Sequence, residues 1–103
     1  MGRRRRVRVV GESMAPTLHA GDVVFVDPRI GSTESIEGAI VVARHPHRLD
    51  LELVKRACPT DEGGRILLLS DNADAVDAID SRTFGPIDRS LVVGLVSSRI
   101  RRA

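Results

Sequence analysis

The chain has 103 residues, enough for one domain with a single modest core. It has no Trp or Tyr and only two Phe, so Val, Ile and Leu must build that core, and stacking platforms for single-stranded nucleic acid are essentially absent. A formal charge of +2 conceals basic ends on an acidic body: Arg3 to Arg6, Arg8, Arg99, Arg101 and Arg102 crowd the termini, leaving 8 basic residues against 14 acids elsewhere.

In chain order, residues 1–8 read as an Arg-rich, solvated arm and residues 9–103 as the folded domain. A basic arm can touch phosphate or anionic lipid. No apolar run approaches the ~18 residues needed to span a bilayer. Nor does a signal-peptide core follow the arginines, because Arg8 and Gly11 interrupt Val7, Val9 and Val10. The expectation is a soluble, cytoplasmic chain without a transmembrane segment. Cys58, the one cysteine, excludes an intrachain disulfide.

Short Val/Ile/Leu runs separated by Gly, Pro and Asp predict an all-β domain. The expected strands are Val7 to Val10, Val23 to Val26, Ala39 to Arg44, Leu51 to Ala57, Arg65 to Leu69 and Leu91 to Ile100. Met14 to His19 is expected to form at most one short helical turn. His19, His45, His47 and Cys58 lack a recognisable ligand spacing, so neither a metal nor a cofactor is expected.

The strand "LELVKRA" carries the first chemical signal. Alternation puts Leu51, Leu53, Lys55 and Ala57 on one face and Glu52, Val54 and Arg56 on the other. Lys55 thus falls on the more apolar face, where burial disfavours the ammonium and lowers the pKa. It is also the only lysine among 16 basic residues. Arginine cannot give up its proton in a protein, whereas a desolvated lysine can act as a base. Ser13, in "GESMAPTLHAGD", supplies a hydroxyl that such a base can activate.

With both residues in view, the sequence resembles the Ser-Lys peptidases of the signal peptidase I and SOS-repressor clan (S24/S26-like), from about Val9 to Val96. "GESMAPTLHAGDVVFVD" looks like the clan's nucleophile box and the strand after it, and "GAIVVARHP" like the next strand. "ELVKRA" resembles the general-base box and "SDNADAVDAIDSRTFGPI" the closing box. The resemblance implies a small, partly open β-barrel of the signal-peptidase or repressor C-terminal type. It implies Ser13 as nucleophile, Lys55 as general base and the Ser13 amide in the oxyanion hole, with Gly11 standing where some relatives place a second, serine donor. Met14 would contact substrate, and Asp80 and Arg82 would form a supporting ion pair. The partner implied is a protein or peptide bound in extended form, to a monomer or weak dimer, with no nucleic acid.

Three departures accompany the resemblance. Ser70 replaces the usual glycine, Asn72 to Asp80 is about two residues longer than in typical signal peptidases, and Ala78 stands where a serine often orients the lysine. Ala78 and Ser70 favour the alternative of an inactive clan member that binds peptides by strand addition. A soluble fragment of a signal peptidase I is a further alternative. "SMAPTL" and "DSRTFGPI" look most like the nickel-type superoxide dismutase maturation proteases, which implies removal of an N-terminal propeptide.

Overall fold

The structure, a computed structural model, describes residues 5–28, 36–60, 63–76 and 78–100; the arginines at 3, 4, 101 and 102 lie outside them. Seven strands form one sheet: β1 (Arg5–Arg8), β2 (Val23–Asp27), β3 (Ile40–His45), β4 (Arg48–Pro59), β5 (Arg65–Leu69), β6 (Ile87–Asp88) and β7 (Val92–Ile100). Their order is β1-β2-β7-β3-β4-β5-β6, and every ladder is antiparallel. The sheet does not close, yet it curls far enough for the Arg5 side chain in β1 to reach Glu52 in β4. The fold is therefore mainly β and partly open, as the sequence predicts.

Burial follows the alternation of each strand. Val24 and Val26 of β2 and Ile66 and Leu68 of β5 point inward while their neighbours are half-buried or exposed. In β3, Val41, Val42 and Ala43 are all buried, because both faces of this central strand are covered. One face packs Val41, Ala43, Ala57, Ile66, Leu68 and Ile87. The other packs Val42, Val24, Val26, Val9, Met14 and Leu18. Two thin layers of aliphatic packing thus sandwich β3 rather than one central core.

Several elements differ from the sequence reading. The strand expected at Val7 to Val10 lies two residues earlier, at Arg5–Arg8, so that the last four residues of the expected arm form β1 and pair with β2 from Arg5↔Val26 to Arg8↔Val23. Strand β6 has two residues, too short for any periodicity to show. A four-residue helix that the sequence reading does not include lies at Ser81–Phe84 (α1), where the Asp80 carboxylate caps it by accepting from the Arg82 amide at 2.9 Å. After Ser13 the chain makes turns, with Ala15 N bonded to Glu12 O and Leu18 N to Met14 O, while Pro16 lacks the amide a helix would use. Before β7, Arg89–Leu91 forms a 3-10 turn capped by Asp88.

Gly94, buried in β7 between β2 and β3, marks the tightest strand contact. A Cβ there would lie 2.4 Å from Val26 Cγ1 and 2.9 Å from the Asp27 carbonyl oxygen. Val26 is itself locked in the core, so neither neighbour can yield cheaply. Gly94→Ala should destabilise the domain by about 1–3 kcal/mol, as overpacking does. Chemical denaturation would check this, with an unchanged midpoint counting against the close approach.

Candidate active site

The site forms where β4 changes partners. Its C-terminal half, Arg56 to Pro59, pairs with β5, whereas among the described residues the N-terminal half has no strand on that side. The turn carrying Ser13 and the segment following β5 fill the change-over. The turn hangs from the β1–β2 pair, closed at its base by Val9 N to Asp22 O (2.8 Å) and Gly21 N to Val9 O (2.9 Å). Gly11, with φ of 79°, bends the chain into it. Met14 anchors the turn in the core at 1% exposure, and its chain neighbour Ser13 is turned towards β4.

Side chains stitch the turn together. The Glu12 carboxylate accepts from the Ala20 amide (2.8 Å) and pairs with His19 Nδ1 (3.0 Å), and these contacts hold it below the usual carboxylate range. Asp22 accepts from the His19 amide. Asn72 then pins the turn from the other side. Its backbone amide donates to Ser13 O (2.8 Å) and its Nδ2 to Glu12 O (3.1 Å). The neighbouring Asp71 accepts from Thr17 Oγ1 (2.7 Å) and from Arg56 at 3.1 and 2.6 Å. The two-pronged Arg56 contact is the main cause of a lowered Asp71 pKa, with burial opposing it.

Ser13 and Lys55, 42 positions apart in sequence, meet at the centre. Lys55 Nζ lies 2.8 Å from Ser13 Oγ and 3.0 Å from Ser70 Oγ, and the lysine is only 3% exposed. Taking the ammonium out of water penalises the charged form. Ser13 and Met14 line a cavity of about 260 Å³ that runs between β1 and the free half of β4. Its walls include Val7, Val10, Leu51, Leu53 and Ile79, so the space beside the hydroxyl is aliphatic.

Ser70 is the residue that sequence reasoning undervalued. Ala78 has no hydroxyl with which to orient Lys55, and the contact comes from Ser70 instead. The Ser70 amide donates to Asp80 Oδ2 at 2.9 Å, and its hydroxyl also hydrogen-bonds that carboxylate. An ionised carboxylate can only accept, so the Ser70 proton is committed to Asp80 and its oxygen is left to accept from Lys55. The signal available in the sequence was the serine in the glycine place, one position after β5.

Asp80 is buried at 1% exposure, whereas its partner Arg82, 2.9 Å away, is 53% exposed. Burial alone would raise the Asp80 pKa. The amides of Ser70 and Arg82, the Ser70 hydroxyl and the Arg82 charge outweigh it and hold the group below the usual carboxylate range. Ser81 extends the same seam, its Oγ accepting from the Leu68 amide at 2.8 Å. The Asp80-Ser81 dipeptide thus satisfies the Leu68 amide in β5 and the Ser70 amide just after it, beyond the point where β6 pairs.

His45 and His47 stand at the β3–β4 hairpin, His45 packing on Phe84 with ring centroids 4.9 Å apart. Among the described residues no group of three or more His, Cys, Asp or Glu could hold a metal ion, and no helix is long and apolar enough to cross a membrane.

The lowered carboxyl groups make an acid-stability prediction. A group whose pKa is lower in the folded state stabilises fully above its unfolded value, about 3.9 for Asp, and that contribution fades as pH falls through the folded value. Asp71→Asn should therefore cost stability at pH 7 and make the loss of melting temperature below about pH 4 shallower. Parallel acid titrations of the two proteins check it; equal slopes would mean that the Arg56 pair does not hold Asp71.

No curated protein matches the sequence. The model of the Peptidase S24-like family matches residues 5–93, which takes in β1, the Ser13 turn, the Lys55 strand and the closing segment through Asp80 and Arg82. On that match over most of its length, the chain belongs to the Peptidase S24-like family.

Proposed function

We propose that the protein is a serine endopeptidase in which Ser13 attacks and Lys55 acts as general base. The observation that carries this reading is the 2.8 Å contact between Ser13 Oγ and a buried Lys55 Nζ whose other hydroxyl partner is fixed by Asp80. With Ser70 accepting from one N–H of the neutral amine, the nitrogen lone pair is left for the Ser13 proton. Ser13 Oγ then adds to the peptide carbonyl as Lys55 takes that proton, and Lys55 returns it to the departing amine. Water activated by the same amine cleaves the acyl-enzyme.

Charge developing on the carbonyl oxygen needs donors. Among the described residues no hydrogen bond uses the Ser13 amide, which is therefore available for that role. The substrate is an extended peptide lying in the aliphatic cavity between β1 and β4, with Met14 at its floor. The similarity of "SMAPTL" and "DSRTFGPI" to nickel superoxide dismutase maturation proteases supports an N-terminal propeptide as the segment removed. The inactive-relative reading draws on Ala78 and Ser70, and the Ser70 contact to Lys55 supports the active reading in preference to it.

Ser13→Ala should lower kcat by about 10⁴-fold or more with the fold retained, since the hydroxyl contributes little to packing. Lys55→Arg should be nearly as damaging, because it keeps the charge but cannot accept a proton. Cleavage of a propeptide-bearing substrate is the assay, and substantial activity in Lys55→Arg would exclude lysine as base. For a lysine base, kcat/KM rises with pH and the profile is unchanged in a His19→Gln, His45→Gln, His47→Gln triple variant. A midpoint near 6.5 that vanishes in the triple variant would assign the base to histidine.

Ser70→Ala tests the orienting hydroxyl. It should lower kcat by about 10²-fold with little change in KM, and Ser70→Thr should recover most of the loss, because only a hydroxyl is required. Equal rates in Ser70→Ala and wild type would show that Lys55 is oriented without it.

A further inference from the structure

Glu52 lines the cavity beside Ser13. Strands β1 and β4 run in the same direction, since four antiparallel ladders separate them. Their free edges face each other across the cavity, with Val7 and Val54 packing in the same aliphatic layer. One step further from the site, Arg5 Nη2 donates to both Glu52 oxygens, at 2.9 and 3.0 Å. Arg44 stands opposite Glu52 in the β3–β4 ladder, yet among the described residues the Glu52 hydrogen bonds cross the gap to Arg5. Glu52 lies three residues before Lys55, so the pair sits about 10 Å along the strand from the base at ~3.3 Å per residue.

We propose that the Arg5–Glu52 pair is a bar across the cavity that determines how long a peptide the site accepts on one side of the cleaved bond. This rests on the peptidase reading. A peptide that ends within about three residues of Lys55 fits behind the bar. A longer one must part the pair to continue between β1 and β4. Both side chains are partly solvated, 52% and 31% exposed, so the bar is weak enough to open and strong enough to bias.

The test takes a peptide that the wild type cleaves and extends it by one to five uncharged residues, on either side of the cleaved bond in turn. For extensions on one side only, wild-type kcat/KM should fall two- to fivefold once the added residues pass the bar, the range open to an exposed ion pair. Arg5→Gln and Glu52→Gln should abolish that fall while leaving the short peptide unchanged, and the exchanged pair Arg5→Glu with Glu52→Arg should restore it. Raising salt from about 0.1 to 1 M should remove the wild-type fall as the charges are screened. Cleavage with the same length profile in all four proteins, or a fall that survives high salt, overturns the bar and leaves the peptidase standing. A wild type that cleaves no peptide overturns the peptidase reading itself, and the bar with it.

Discussion

A carboxylate can be taken out of water only if donors surround it, and the donors that surround Asp80 determine most of the site. They come from three places: the amide and hydroxyl of Ser70, the amide of Arg82 that starts α1, and the Arg82 guanidinium. Satisfying Asp80 therefore fixes the end of β5, begins the short helix and sets the direction of the Ser70 proton. Through Ser70 it also sets which lone pair meets Lys55. The orientation of the lysine is thus a result of hydrogen-bond accounting two residues away.

The second constraint is the position of Lys55 at the point where β4 loses β5 as a neighbour. Buried deeper in the paired half, its amine would meet only aliphatic side chains; further along the free half, it would reach solvent. At the change-over it meets two hydroxyls carried by segments that are not strands. Those segments are held by contacts of their own, Asn72 to the Ser13 turn and Arg56 to Asp71. The candidate site is built from irregular backbone clamped onto the interruption of a regular ladder.

The parts that depend on local pattern were legible in the sequence. Alternation placed Leu53 and Ala57 with Lys55, and the uniqueness of Lys55 among arginines singled it out before any geometry. Strands β2, β3 and β5 lie where the aliphatic runs put them. What was illegible depends on contacts between distant segments. Arg5 and Arg6 look like a solvated arm because β1 gains its place from pairing with β2 and not from its own apolarity. Ser70 reads as a departure by position alone, yet a hydroxyl can approach Nζ from the end of β5 as well as from residue 78. The Arg5–Glu52 contact spans 47 positions and exists only because the sheet curls.

The arginines of β1 carry one more consequence. An open sheet exposes unpaired backbone along its edges, and such an edge is a template for pairing with another copy of the same chain. Here the edge strand reads Arg-Arg-Val-Arg. Stacking it against its own copy would bring like charges together in neighbouring registers, where repulsion opposes the ladder. An incoming peptide of another composition meets no such penalty. The charges of this edge strand therefore work against self-pairing along its open backbone.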